Sequence, residues 1–261
     1  MTIREIFKSH KGNLIYKWDH YFEIYQNHFE KFKSKKNITI LEIGVLGGGS
    51  LQMWKKIFGK KSKIYGIDKN PICKNYEEEN ITIKIGSSSD EIFLNNLVDE
   101  IDEIDIIIDD GSHRMEHQIT AFKHLFKKLP IGGLYLIEDT HTSYWNSFGG
   151  GLRRSGTFIE FSKKLVDSIH AHFSDQFNFN KDKYTDSIDS ISFYDSIVCI
   201  YKGERKQKPF PLFSGKHNHQ TKPDKKSLIF NISFNILLFL NKILQYLKIK
   251  GFILRGEFKI K

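Results

Sequence analysis

The sequence predicts an α/β protein in which helices cover both faces of one mostly parallel sheet. Between residues 37 and 202, short apolar runs alternate with segments of helical periodicity, the pattern of a doubly wound sheet. The last two β-rich runs are separated only by Asp195 and Ser196, too few residues for a parallel crossover, so they should form an antiparallel hairpin. With 39% apolar and 14% aromatic residues, the chain can bury a core, which excludes disorder over its whole length.

Seven runs are predicted strands. Five are crossover strands, at residues 38–43, 63–67, 81–85, 104–108 and 134–137, and two form the hairpin, at 190–194 and 197–201. The predicted helices between and after them carry apolar residues at helical spacing and lie at 50–58, 90–100, 115–128 and 155–172. The sequence therefore predicts a seven-stranded sheet closed by an antiparallel pair.

The segments that flank this predicted domain, residues 37–202, differ from it in composition. Residues 1–36 are rich in aromatic side chains and predict a helical cover, with most aromatics in the core and His20 and Tyr21 available for a substrate lip. Residues 203–226 form a predicted basic linker with three prolines. Residues 227–261 are apolar but interrupted by asparagine and lysine, and they predict an amphipathic, basic, helical tail rather than a membrane-spanning helix.

Most of the net charge of +9 lies near the C-terminus, because residues 202–261 contain 14 Lys or Arg and three acidic residues. The rest of the chain is slightly acidic, which argues against nucleic acid as a partner. The tail would lie on the anionic inner-membrane surface or pack on a second subunit of a homo-oligomer, and the sequence leaves both open. Cys73 and Cys199 suit reduced thiols, and the charged N-terminal residues do not form a secretory signal. We therefore expect a cytoplasmic protein, peripheral at the inner membrane if the tail binds there.

A glycine-rich loop follows the first predicted strand, in LEIGVLGGGS at residues 41–50. Glycines let a ligand approach the backbone, and the following helix supplies free N–H groups at its start. No Lys-Ser or Lys-Thr follows, which excludes a Walker loop, and the spacing of Gly44, Gly47 and Gly49 fits a dinucleotide fingerprint poorly. The loop predicts a nucleoside ligand, with a ligand-free tight turn as the alternative.

Asp68 stands just past the second predicted strand, about 20 residues after the glycine loop. An acidic residue there can accept hydrogen bonds from both ribose hydroxyls of an adenosine group. NAD and S-adenosylmethionine would both satisfy it. The alternative is a helix cap before Asn70 and Pro71.

Four carboxylates follow two neighbouring predicted strands. Asp109 and Asp110 close the fourth strand in IIIDDGSHRMEHQ, and Glu138 and Asp139 close the fifth in LIEDTHTSYW. Parallel strands deliver these side chains to one edge of the sheet, where such folds bind ligands. Clustered like charges are costly without a cation, and oxygen ligands suit Mg²⁺. The alternative is a solvated acidic rim.

The same segment contains H-x-x-E-H at residues 113–117, the motif of inverted zinc peptidases. That motif needs both histidines on one helix face. His113 comes directly after the strand and a Gly-Ser pair, so we expect it before the helix start, pointing into the crevice. His117 is predicted to be an ordinary helix residue, which argues against a zinc peptidase.

These motifs together resemble a known family. Glu42-Ile-Gly44, Asp68, the DDGSH of residues 109–113 and the IEDTHTSYW of residues 137–145 resemble the class I S-adenosylmethionine-dependent methyltransferases. Among these, they are most similar to the metal-dependent sugar O-methyltransferases of macrolide antibiotic biosynthesis and to related bacterial glycan-modifying enzymes. The resemblance covers residues 12–201.

The resemblance implies a Rossmann-like fold, S-adenosylmethionine as methyl donor, a Mg²⁺ ion, and as acceptor a sugar hydroxyl of a bacterial surface glycan or glycosylated metabolite. It assigns the roles residue by residue: Asp110, Glu138 and Asp139 as metal ligands, His113 as general base, and Glu42, Gly44, Ser50, Asp68 and Asp109 as the donor site. Three other functions stay open: methyl transfer to a non-sugar hydroxyl or catechol, NAD-dependent oxidation and reduction, and donor binding without catalysis.

Overall fold

The computed structural model of the chain describes residues 1–174, 179–212, 214–215 and 228–247. Within it the chain divides into two compact units. The first comprises Met1–Ile169 and Lys183–Lys206 and contains the whole sheet. The second comprises His170–Asp182 and Gln207–Lys261. Residues 1–36, the predicted helical cover, belong to the same unit as the sheet.

The sheet has seven strands, as predicted. They are β1 (Thr39–Ile43), β2 (Lys63–Asp68), β3 (Ile81–Ile85), β4 (Ile106–Asp109), β5 (Leu134–Ile137), β6 (Ile188–Phe193) and β7 (Val198–Lys202). Their order is β3-β2-β1-β4-β5-β7-β6. Strands β1 to β5 are parallel, and β7 pairs antiparallel with both β5 and β6, which confirms the doubly wound sheet with a C-terminal hairpin.

Two predicted strands, β4 and β6, begin two residues away from their predicted starts. Strand β4 begins at Ile106 rather than Ile104, because the Ile104 amide donates to the Lys128 carbonyl instead of entering the sheet. It also extends through Asp109, which pairs with Ile43 of β1. Strand β6 begins at Ile188, two residues earlier than predicted, since an irregularity between Ile188 and Ser190 lets pairing with β7 continue past it.

Among the described residues, six α-helices pack on the sheet: α1 (Ile3–Lys8), α2 (Tyr21–Phe29), α3 (Gly49–Phe58), α4 (Glu91–Glu100), α5 (Met115–Leu125) and α6 (Phe158–His170). Side chains of consecutive strand residues enter different clusters: Ile40 packs in one with Tyr25 and Trp54, and Leu41 in another with Phe122. Because strand side chains alternate between faces, the clusters mark the two faces of the sheet. Helices α1 to α3 therefore cover one face and α4 to α6 the other.

A last helix, α7 (Leu228–Tyr246), falls within the predicted tail. Of the predicted linker and tail, residues 213, 216–227 and 248–261 lie outside the described residues. Among the residues that are described, no helix is long and apolar enough to cross a membrane. Contact of this segment with a membrane surface or a second subunit stays a prediction.

His28 connects helix α2 to the hairpin. Its Nδ1 lies 2.7 Å from the Tyr201 hydroxyl and its Nε2 lies 2.9 Å from the Tyr194 hydroxyl. Burial of the ring, together with nearby Lys31, lowers the pKa of His28 below its ordinary value. The neutral ring suits this place, since it donates from one nitrogen and accepts at the other.

We expect His28→Gln to lower the free energy of unfolding by about 1 kcal/mol at about pH 8, because glutamine cannot keep both hydrogen bonds. As the pH falls below 6.5, the unfolded chain protonates His28 while the folded chain resists, so stability present above that pKa is lost. Wild type should therefore lose more stability than the variant on acidification. Urea unfolding at several pH values measures how the free energy of unfolding changes with pH in wild type and in the variant. An equal change in both proteins would contradict the lowered pKa of His28.

Candidate active site

Two adjoining clefts open at the carboxyl edge of the sheet, where the strand order reverses between β1 and β4. The first has a volume of about 270 Å³ and the second about 190 Å³. Gly44, Asp68 and Gly111 line both clefts. The other residues of the first cleft come from strand-end loops and the N-terminal segment: Tyr16, Lys17, Trp18, Tyr21, Leu46, Asp110, His113, Glu138 and Asp139. Most of the predicted site residues are thus brought together.

Asp110, His113 and Asp139 form a cluster of the size that holds a metal ion. One ligand atom from each lies within 4.8 Å of the other two. His113 Nε2 is 3.4 Å from Asp139 Oδ2 and 3.9 Å from Asp110 Oδ1. Each of the three side chains is about one-fifth exposed, so solvent can reach the cluster.

Two residues of this cluster have left-handed backbones. His113 has a φ of 55° and Asp139 a φ of 52°, which residues other than glycine seldom adopt. Thr142 connects them: its buried hydroxyl lies 3.0 Å from the His113 carbonyl oxygen and 2.8 Å from that of Asp139, so its proton is shared between them. A strained backbone conformation persists where surrounding contacts hold it. Here it places the side chains of His113 and Asp139 close to each other.

Lys17, which the sequence did not single out, lies among three carboxylates. Its side chain is 2% exposed, and its ammonium donates to Asp110 Oδ2 at 2.6 Å, Glu138 Oε2 at 3.0 Å and Glu42 Oε1 at 3.1 Å. Burial by itself would lower the pKa of Lys17, but the attraction of these carboxylates outweighs burial and holds the pKa well above its ordinary value. The lysine therefore offsets part of the negative charge of the predicted acidic cluster, at Asp110 and Glu138.

Two tyrosines of helix α2 hold the carboxylates that follow β5. The Tyr25 hydroxyl donates to Glu138 Oε1 at 2.7 Å, and the Tyr21 hydroxyl donates to Asp139 Oδ1 at 2.6 Å. Burial and these carboxylates raise the pKa of both hydroxyls, which stay protonated donors. Tyr21 is a buried support rather than an exposed lip residue, whereas His20 is exposed. The spacing of four residues, which puts both hydroxyls on one face of an apolar helix, is a sequence signal for this role.

Gly44 allows the turns after β1 and β4 to approach each other. Its φ is +93°, and a Cβ atom there would overlap the carbonyl oxygen of Asp110. A side chain at this position would therefore push apart the strand ends that form both clefts.

Three other residues predicted for the donor site, Glu42, Ser50 and Asp109, are buried and do not line the clefts. Glu42 is fully buried, and its Oε2 accepts from Ser50 Oγ at 2.7 Å and Trp54 Nε1 at 2.9 Å. Burial raises the pKa of Glu42, and burial raises the pKa of Asp109 to about 7. None of Glu42, Ser50 and Asp109 is among the described residues that line the two clefts, so their contact with a donor stays a prediction.

Asp68 organises the glycine loop. Its Oδ2 accepts from the amides of Val45 at 2.9 Å and Leu46 at 3.3 Å, and its Oδ1 accepts from the Asn70 amide at 2.8 Å. The short helix that begins at Pro71 is capped by the Asn70 side chain and not by Asp68. The capping alternative for Asp68 is therefore wrong, and Asp68 stands where the two clefts meet.

The second cleft contains groups that the sequence did not indicate. Gly86, Ser87 and Ser88 follow β3 at the same sheet edge and line it with Ser112 and His117. The His117 Nδ1 lies 2.7 Å from Ser112 Oγ, whereas His113 precedes helix α5. Because only one of the two histidines is on the helix, the arrangement is not that of an inverted zinc peptidase, as predicted.

Two curated proteins are similar in sequence. The 8-demethyl-8-alpha-L-rhamnosyl tetracenomycin-C 2'-O-methyltransferase of Streptomyces olivaceus is 41% identical over 158 residues, which are 58% of this chain and 41% of that protein. The demethylmacrocin O-methyltransferase of Streptomyces fradiae is 34% identical over 198 residues, 72% of this chain and 49% of that protein. The chain thus matches less than half the length of either relative. No protein-family model matches it.

A solved structure agrees with these relatives. MycE methyltransferase from the mycinamycin biosynthetic pathway, in complex with Mg, SAH and mycinamycin VI, has a TM-score of 0.72 at 29% identity, covering 84% of this chain and 57% of MycE. The chain is a homologue of these O-methyltransferases. It has the class I methyltransferase fold, which confirms the resemblance drawn from its motifs.

In this methyltransferase fold we expect Thr142→Val to weaken Mn²⁺ binding by about tenfold or more, as loss of a supporting contact typically does. Valine keeps the volume but removes the hydroxyl, so the free energy of unfolding should fall by only about 1–3 kcal/mol. Thr157→Val is the matched control, since the Thr157 hydroxyl accepts from the Glu160 amide at the start of α6, outside the clefts. The measurements are Mn²⁺ titration by electron paramagnetic resonance and urea unfolding. Equal Mn²⁺ affinity in both variants would rule out the positioning role.

Proposed function

We propose that this protein is an S-adenosylmethionine-dependent, Mg²⁺-dependent O-methyltransferase that acts on a sugar hydroxyl. The proposal rests on two adjacent features. Asp110, His113 and Asp139 form a metal-sized cluster in the first cleft, and the second cleft adjoins the first at Asp68. Homology to O-methyltransferases of glycosylated metabolites supports it. The chain matches less than half of these relatives' length, so the activity is assigned to this chain as a proposal.

The chemistry of the residues fits a divalent cation. Asp110 and Asp139 would hold it with carboxylate oxygens, and Glu138, beside them, would supply a third if its ion pair with Lys17 opened. His113 Nε2 lies within reach of the same point, so His113 is either the third ligand or the base. When bound, such an ion lowers the pKa of a hydroxyl and fixes its position.

We assign the second cleft to the adenosine part of the donor. Asp68 would accept from the ribose hydroxyls, while Gly44 lets the ligand approach the strand ends. Ser87, Ser88 and Ser112 offer hydroxyls to a base. The reactive methyl group would then lie toward the first cleft, where the metal-sized cluster lies. A nicotinamide enzyme would have no use for that cluster, which is the reason for preferring the methyl donor.

His113 is proposed as the general base. Its Nδ1 is buried without a hydrogen-bond partner among the described residues, and its Nε2 faces Asp139 and the first cleft. Nε2 takes the proton of the acceptor hydroxyl as the oxygen attacks the methyl carbon in line. When bound, the donor would supply the methyl group, its carbon–sulfur electron pair would return to sulfur, and a neutral thioether would be released. Asp139 then stabilises the imidazolium.

Trp18 lines the first cleft, and its ring is the first of three neighbouring aromatic rings. Trp18 lies 6.1 Å from the His141 ring, which lies 4.7 Å from Trp145, and both tryptophans are about half exposed. Exposed aromatic faces beside polar groups suit the apolar face of a sugar ring. The name of the tetracenomycin relative includes a rhamnosyl group, and none of the relatives' names indicates a surface glycan. We therefore propose a glycosylated metabolite as the first acceptor to test, with glycans and catechols in the same panel.

The cellular location and the oligomeric state of this protein are also proposals. A cytoplasmic site, contact of residues 227–261 with the inner membrane and homo-oligomer formation are all compatible with this function. They rest on the composition of the sequence alone.

We expect isothermal titration to show binding of S-adenosylmethionine and none of NADH. A chelator should leave donor binding largely intact, because Asp110, His113 and Asp139 are not among the described residues that line the donor cleft. Asp68→Asn should weaken donor binding, since the amide accepts at one oxygen only. Binding of NADH alone, or of neither ligand, would overturn the proposed function.

We expect His113→Asn to lower kcat by about 10²–10⁴ and to leave Mn²⁺ affinity unchanged, as removal of a general base does. His124→Asn is the control, because His124 lies on α5 and contacts Asn95 away from the clefts. The measurements are initial rates over a range of pH and Mn²⁺ titration. If Mn²⁺ affinity falls together with kcat, His113 is a metal ligand and another group is the base.

A further inference from the structure

Lys17 is the buried anchor of an otherwise exposed segment. Residues 11–18, between α1 and α2, have no regular secondary structure. Tyr16 and Trp18 are 73% and 48% exposed, whereas the Lys17 side chain is 2% exposed. Lys17 thus joins this segment to the edge of the sheet through buried ion pairs, beside the Trp18 hydrogen bond to Asp139 and the packing of Ile15 on the core.

Lys17 forms ion pairs with carboxylates that a metal ion would use as ligands. Its ammonium contacts Asp110 Oδ2 and Glu138 Oε2, two of the three ligands predicted from the sequence. Asp110 divides its oxygens, with Oδ2 toward Lys17 and Oδ1 toward His113. Asp110 thus belongs both to the lysine ion pair and to the metal-sized cluster.

We propose that Lys17 is a built-in counter-ion that holds Asp110 and Glu138 before a divalent cation binds and is displaced from them when it does. The inference rests on the proposed metal site. Mg²⁺ binds oxygen at about 2.0–2.1 Å in near-octahedral geometry, and an ammonium on Asp110 Oδ2 and Glu138 Oε2 competes with it for those oxygens. Two cations so close to each other would also repel each other.

The carboxylates keep other partners when the lysine leaves. Glu138 retains the hydroxyl of Tyr25, and Glu42 retains Ser50 and Trp54 on its second oxygen. Removing a buried partner is costly when it leaves a charge unpaired, and here the arriving cation replaces the charge. Two arrangements of the same residues are therefore available.

Displacement would also reshape the acceptor side. Tyr16 and Trp18 adjoin Lys17 in the chain and line the first cleft, and Trp18 Nε1 donates to Asp139 Oδ1 at 3.0 Å. Movement of Lys17 therefore moves the aromatic border of the cleft. Metal binding and the shape of the proposed acceptor site become coupled.

The experiment labels the lysines of the full-length protein with an amine-specific acetylating reagent, in chelator and in Mg²⁺, and measures each by mass spectrometry. Lys17 should be protected in chelator and modified in Mg²⁺. Lys35, ion-paired with Asp105 at the opposite end of β4, is the internal control and should not respond. Lys17 protection that is unchanged by Mg²⁺ would overturn displacement.

Affinity gives a second measurement. We expect Lys17→Gln to bind Mn²⁺ about tenfold more tightly than wild type, a coupling of the usual size between competing ligands. Lys17→Arg, which keeps the charge, and Lys35→Gln should not tighten binding. Weaker or equal binding in Lys17→Gln, with the variant folded by circular dichroism, would show that Lys17 supports the site instead. If no form binds Mn²⁺, the proposed metal site itself is wrong and the inference falls with it.

Discussion

Negative charge gathered at one edge of the sheet is the constraint on which the rest of this structure depends. Three parallel strands end side by side and bring together Glu42, Asp110, Glu138 and Asp139. Glu42 and Glu138 are buried. Buried carboxylates need partners or neutralisation. The surrounding structure supplies a lysine ammonium, tyrosine and serine hydroxyls and two indole N–H groups as partners.

The N-terminal segment is therefore more than a cover for the sheet. Helices α1 and α2 bury one face of it, and the same stretch supplies Lys17, Tyr21 and Tyr25 to the carboxylates. Packing energy from apolar side chains such as Phe29 holds these polar groups in place. Stability of the fold and geometry of the site are thus linked through one element.

The two clefts separate the proposed tasks. The one bordered by Asp68 and the serines after β3 has the polar groups that a nucleoside requires, and the other has the charges and exposed rings. They meet at Gly44 and Gly111, where the absence of side chains lets the ends of β1 and β4 approach. Strain at His113 and Asp139, held by Thr142, aims reactive groups at this junction. The proposed transfer of a methyl group needs this adjacency of donor and acceptor.

The sequence by itself determined the seven strands, the antiparallel hairpin and the edge at which the acidic residues meet, because apolar periodicity and strand ends are local features. It also indicated that His113 precedes its helix. Only the tertiary structure decided that Lys17 is the partner of those acids, that Asn70 and not Asp68 caps the following helix, and that Glu42 lies beneath the clefts. These facts depend on contacts between residues as far apart as Lys17 and Glu138, which no local pattern encodes. The packing of the folded chain decides which carboxylate oxygens face the Lys17 ammonium.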